Sequence, residues 1–73
     1  MNFGVIGFGN IARRFAASIP YTTGGRICAI ASRSLSPEDP YLLANPGVRL
    51  LRDYDALLRD PEVEAVYIAL PHK

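Results

Sequence analysis

The sequence predicts an α/β fold, the first half of a doubly wound parallel sheet with strand order 3-2-1-4. Three observations carry that expectation. Short apolar runs alternate along the chain with helix-patterned segments. A glycine pair, Gly7 and Gly9, stands between the first apolar run and the first helix pattern. The run "RICAIAS" is apolar almost throughout, as a strand covered by helices on both faces must be.

The elements follow in order. "NFGVIG" reads as a strand ended by glycine. In "NIARRFAASIP", Ile11, Phe15 and Ile19 recur four apart with Ala12 and Ala16 beside them, which predicts one apolar helix face closed by Pro20. "YTTGG" is a turn cluster, and "RICAIAS" is the second strand. "SPEDPYLLANPG" offers Asp39 as a cap and Pro40 at the first helical position before it breaks at Pro46 and Gly47. It reads as a short helix or a structured loop. "VRLL" is a brief third strand. "DYDALLRD" is a short helix capped by Asp53 and stopped ahead of Pro61. The fourth strand runs from Ala65 to Leu70. Tyr67 and the leucines of "DALLRD" are assigned to packing.

Strand, helix, strand, connection, strand, helix, strand implies parallel pairing through right-handed crossovers. That arrangement leaves "AVYIAL", uncharged and β-prone, at an open sheet edge that a complete protein would cover. The 73 residues are therefore expected to be a piece of a longer, two-domain protein. A chain this short buries only about 60% of its unfolded surface, so its stability alone would be marginal.

Composition narrows the classes. The chain is 49% hydrophobic and 21% charged, with a net charge of +1, which gives no electrostatic reason to expect a nucleic acid or membrane surface as partner. Cys28 is the single cysteine, so no internal disulfide forms, and its apolar neighbours make it a small buried hydrophobe. Met1 leads straight into a strand pattern without a basic flank, and no apolar run approaches the ~20 residues that span a bilayer. The expectation is a soluble, cytoplasmic protein.

Gly7, Gly9 and Ala12 fit G-x-G-x-x-A, with a strand before them and a helix after, the context in which the motif binds a dinucleotide. Gly7 permits the turn out of the strand, Gly9 leaves room for a pyrophosphate, and Ala12 lets helix and strand pack closely. The helix start at Asn10 and Ile11 offers N–H groups to the anion. The competing reading is a glycine-rich turn with no ligand. An acidic residue about 20 positions further on usually holds the adenine ribose of NAD. Here Ser32 stands at that place, 23 positions past Gly9, and Arg33 follows. A guanidinium pairs with a 2′-phosphate in a fork geometry, so the pair favours NADP over NAD. Arg13 and Arg14, just past the glycine turn, are either phosphate contacts or charges on a solvated helix face. Leu70, Pro71 and His72 close the fourth strand near the switch point where ligands bind, and are candidates to line the nicotinamide end. His72, the only histidine, has a solvated terminus as its alternative.

The runs "VIGFGNIARRF", "AIASRS" and "DYDALLRDPEVEAVYIALPH" together resemble the N-terminal half-domain of the Gfo/Idh/MocA oxidoreductases, across nearly the whole chain. The resemblance implies a nucleotide-binding Rossmann fold, and a parent dehydrogenase that uses NAD(P) on a sugar, inositol or related polyol. It implies a pyrophosphate loop of Gly7, Phe8, Gly9, Asn10 and Ile11. Ser32 and Arg33 would meet the adenosine 2′-phosphate, and Leu70, Pro71 and His72 would line the cofactor channel. It implies that residues 1–73 are a dinucleotide-binding half-domain. The substrate domain, the family's Glu-Lys-Pro motif and the contacts of a homo-oligomer all lie outside this chain, so no catalytic or metal-binding residue is assigned within it. Lys73 does not stand in that motif. The segment between Ser34 and Pro46 is shorter and richer in proline than the helix usual there. A nucleotide-binding or regulatory module without redox chemistry is the alternative from another class. A remnant that binds nothing is a third.

Overall fold

The computed structural model describes residues 1–19 and 24–70. The expected stop at Pro20 and the first three residues of the turn cluster at 21–25 lie outside them, as do Pro71, His72 and Lys73, while Gly24 of that cluster has the positive φ of a turn, +68. The strands are β1 (Asn2–Ile6), β2 (Arg26–Ala31), β3 (Arg49–Leu51) and β4 (Ala65–Ile68). They form one parallel sheet in the order β3-β2-β1-β4, the arrangement that the alternating pattern and right-handed crossovers demand. Helices α1 (Asn10–Ser18), α2 (Pro40–Ala44) and α3 (Tyr54–Leu58) join them.

The sheet separates two apolar layers. On one face Val5, Ile27 and Ile30 pack with Phe8, Ala12, Ala16 and Ile19, and with Leu35 and Leu42 of the connection and α2. On the other Ile6, Cys28, Ala29 and Ala31 pack with Leu57 of α3. Cys28 is thus the small buried hydrophobe that its neighbours predict. The pairing of β1 with β2 shifts register between Phe3 and Gly4, where Cys28 is left over beside Ala29. Strict alternation would put Ile27 and Ile30 on opposite faces. The bulge brings both onto the same one.

Local signals explain the short helices. The Asp39 carboxylate accepts from the Tyr41 N–H with Pro40 at the first helical position, and the Asp53 carboxylate accepts from the Asp55 N–H. Three expectations need correction. The buried stripe of α1 is Ala12, Ala16 and Ile19, with Phe15 partly buried, while Ile11 is 64% exposed. One residue on a helix turns the side chain by ~100°, so Ile11 swings off the stripe that Ala12 begins. Leu58 is exposed although Leu57 is fully buried, for the same reason. β4 ends at Ile68 rather than Leu70, although Ala69 still donates to the Ile6 carbonyl. Tyr67 does pack: it stacks on Phe15 at 4.2 Å, and Phe3 meets Phe15 edge-on. No helix among the described residues is long and apolar enough to cross a membrane.

Candidate functional site

Parallel strands end together, and here their carboxyl ends deliver the chain to one opening. Gly7 N–H bonds the Ala31 carbonyl at 2.8 Å, Ser32 N–H bonds the Leu51 carbonyl, and Ala69 N–H bonds the Ile6 carbonyl. The sheet therefore holds the loops after β1, β2 and β4 side by side. Between them lies a cavity of about 660 Å³, lined by Gly7, Phe8, Gly9, Asn10, Ile11, Ser32, Arg33 and Leu70. These are all the expected cofactor residues that fall within the described chain. Pro71 and His72 lie outside it.

The glycine turn has the shape a phosphate needs. Gly7 sits at φ +80, a backbone that side chains avoid, with β2 on one side and the end of β4 on the other. Gly9 is the N-cap of α1 in an extended conformation. A Cβ placed there would meet nothing within 4 Å, so the backbone faces open space. Among the described residues no side chain caps α1 and its first turn holds no acid, so none of them sets an anion against its leading N–H groups and positive end. The residues present fit the phosphates of a dinucleotide. Ile11, exposed beside this turn, adds apolar surface to the same cavity.

At the other end of the opening, Ser32 is buried, and its Oγ accepts from the N–H groups of Ser34 and Leu35 at 3.3 and 3.1 Å. The hydroxyl thus folds the loop after β2 into a tight turn. Arg33 projects from that turn, exposed, with its guanidinium 5.4 Å from the centroid of the Tyr54 ring. Among the described residues Arg33 forms no ion pair.

Arg13 is differently placed. It makes a two-pronged bond to the Asp39 carboxylate at 2.7 and 3.1 Å, and its guanidinium lies 4.8 Å from the Phe8 ring centroid. The hydrogen bonds from Arg13 hold the Asp39 carboxyl below its ordinary range and raise the Arg13 guanidinium. Phe8 also leans on Tyr41, whose phenol is raised by burial. Arg13 therefore braces the glycine turn against α2 and is not the free phosphate contact that the sequence left open.

Sequence reasoning missed Tyr54 and Arg52. Tyr54 lines the cavity together with Ser34, Leu35 and Ala69. Arg52 donates through one guanidinium nitrogen to the carbonyls of Ser32 and Leu35. The available signal is topological: order 3-2-1-4 places the residues after β3 beside those after β2.

The comparisons agree with this architecture. Residues 1–73 match the profile of the GFO_IDH_MocA family, described as an oxidoreductase family with an NAD-binding Rossmann fold. An uncharacterized oxidoreductase of Rhizobium meliloti is 38% identical over 73 residues, 99% of this chain and 22% of that protein. The crystal structure of an oxidoreductase from Bacillus cereus superposes with a TM-score of 0.78 at 30% identity, over 97% of this chain and 21% of that one. A scyllo-inositol dehydrogenase from Lactobacillus casei, solved with NAD(H) and scyllo-inositol, shares the fold with a TM-score of 0.76 at 22% identity, over 96% of this chain and 21% of its own. The 73 residues thus span about a fifth of the length of these relatives.

Proposed function

The chain belongs to the Gfo/Idh/MocA oxidoreductase family, and from that premise we propose that it is the cofactor-binding part of an NADP-preferring enzyme acting on a sugar, inositol or related polyol, at a hydroxyl or its carbonyl. One observation carries the cofactor choice. At the end of β2, where a carboxylate would receive an adenine ribose, Ser32 closes a turn and Arg33 stands exposed at the cavity rim without an ion pair among the described residues. A planar guanidinium in that place suits a doubly charged 2′-phosphate.

The loop of Gly7, Phe8, Gly9, Asn10 and Ile11 receives the pyrophosphate on its N–H groups. Ser32 shapes the adenosine end, and its hydroxyl keeps a proton to donate. Leu70, at the cavity, is assigned the nicotinamide end, and Pro71 and His72, which follow it in sequence outside the described residues, are assigned the same role. When bound, a nicotinamide dinucleotide supplies the hydride exchange with a substrate carbon. This segment binds and orients it, and groups outside the 73 residues move the proton. That the Lactobacillus casei relative is an inositol dehydrogenase supports a polyol substrate. A cytoplasmic homo-oligomer is the form we expect for the whole protein.

The test is separate titration of NADPH and NADH into the intact protein, followed by nicotinamide fluorescence. We expect NADPH to bind at least about tenfold tighter, a difference near 1.4 kcal/mol, and Arg33→Ala to erase it. Equal affinity for both would overturn the NADP assignment, and saturation by neither would overturn the dinucleotide site.

A further inference from the structure

A long exposed side chain such as that of Arg33 ordinarily samples many rotamers, so a guanidinium held ready at the cavity rim needs support from its surroundings. Two residues outside the loop bear on this, and both come from the stretch Arg52–Asp53–Tyr54 that joins β3 to α3. Arg52 spans the turn from behind. One of its guanidinium nitrogens donates to the Ser32 carbonyl at 3.1 Å and to the Leu35 carbonyl at 2.7 Å, so it ties both ends of the turn to the end of β3. The Ser32 hydroxyl holds the same turn from within. Tyr54, the first residue of α3, is fixed by the cap that Asp53 forms on Asp55 N–H, and presents its ring to the guanidinium of Arg33. The Arg33 Cζ lies over the ring at 5.4 Å from its centroid, and a guanidinium that meets a ring with its flat face keeps its donors for other partners.

We propose that Arg52 and Tyr54 are positioning residues for recognition of the 2′-phosphate. Arg52 fixes the backbone from which Arg33 projects, Tyr54 fixes the plane of its guanidinium, and neither touches the phosphate itself. The inference rests on the NADP reading above. It adds that discrimination at this site belongs to a unit built from two loops, after β2 and after β3, rather than to the two residues that follow β2.

The experiment compares 2′,5′-ADP with ADP as ligands of the intact protein by titration calorimetry, which needs neither nicotinamide nor turnover. The ratio of the two affinities reads the 2′-phosphate alone. Parent protein should favour 2′,5′-ADP. Tyr54→Leu and Arg52→Met should each weaken 2′,5′-ADP about fivefold while changing ADP less than about twofold, because only the charge-assisted contact loses its preorganisation. Tyr54→Phe, which keeps the ring, should match the parent. Adding Tyr54→Leu to Arg33→Ala should cost nothing beyond Arg33→Ala alone, the non-additivity expected of residues acting through one contact. Arg52 is exposed, so Arg52→Met tests the idea even if Tyr54→Leu fails to fold.

If Arg33→Ala collapses the ratio while both Tyr54→Leu and Arg52→Met leave it intact, positioning is wrong and the NADP reading stands. A drop for both ligands alike in these variants would make the two residues structural only and overturn the proposal. A parent without preference for 2′,5′-ADP would overturn the proposal and the reading together.

Discussion

A methyl group added at Gly7 would meet the Ala69 carbonyl oxygen at 3.1 Å on a backbone held at φ +80, whereas one added at Gly9 would meet nothing within 4 Å. The two glycines of one motif therefore answer to different demands. Gly7→Ala strains the fold and should lose about 1–3 kcal/mol of unfolding free energy. Gly9→Ala should lose only the N-cap preference for glycine over alanine, about 0.5–1 kcal/mol. The same change puts a methyl into the space a pyrophosphate would occupy, and should weaken NADPH binding at least about tenfold. Urea unfolding and fluorescence titration of the two variants separate these effects. If Gly9→Ala bound NADPH as the parent does, the open space at Gly9 would have no part in holding the ligand. The motif makes both residues visible in the sequence, but not which is needed for the fold and which for a ligand. That depends on Ala69, 62 residues beyond Gly7. Ser32 is a similar case. Its position is legible by counting from the glycines, while its bonds to Ser34 and Leu35 follow from how the loop closes.

At the scale of elements, the caps of the two short helices are coded within a few residues and could be read directly, whereas which neighbouring residue of α1 or α3 faces the sheet was misjudged at Ile11 and Leu58. Asp39 with Pro40, and Asp53 before "YDALL", are local cap signals, and both carboxylates cap as expected. What depends on a partner strand or helix was hidden. The bulge at Cys28 exists only relative to β1, and the stretch after β3 gains its meaning from the loop it braces after β2. Gly4 is the clearest instance. In sequence it is one glycine inside a strand, a mild weakness. In the structure α3 returns over it so closely that a Cβ would stand 2.8 Å from Leu57 Cδ2 and 3.0 Å from Val63 Cγ1. Leu57 is fully buried and has little freedom to retreat. Gly4→Ala should therefore lose about 1–3 kcal/mol as an overpacked core site, despite alanine's better strand entropy. Pairing Gly4→Ala with Leu57→Ala should recover part of that loss, and the urea midpoints of the single and double variants measure it. Equal losses with and without Leu57 would mean that the helix does not set the size limit at Gly4.

Across the whole molecule, strand order was legible because connection handedness and element order leave few topologies. The ion pairs that join its parts were not, since their partners lie far apart in the chain. Arg13 of α1 meets Asp39, the cap of α2, at 2.7 Å, and Arg49 of β3 holds both Asp60 and Glu62 in the turn after α3. Hydrogen bonds from these arginines lower the Asp39 and Asp60 carboxyls below the ordinary 3.8. A depressed carboxyl contributes stability that is fully present above its unfolded pKa and is lost as pH falls through the folded one. The arginines are raised above their ordinary range by the same bonds and stay charged throughout, so they add no slope below neutrality. Between neutral pH and the ordinary carboxylate range these pairs should hold their full value, with the loss confined to pH below about 3.8. Asp39→Asn and Asp60→Asn keep an oxygen that can accept the bonds from Tyr41 and Glu62 N–H while removing the charge. The difference in urea midpoint between the parent and either variant should be constant from pH 7 to about 5, shrink below 3.8 and close once the folded carboxyls are protonated. A difference that persists unchanged at the acid end would show that asparagine disturbs the cap, and that charge pairing with Arg13 or Arg49 contributes nothing measurable to holding the two layers on the sheet.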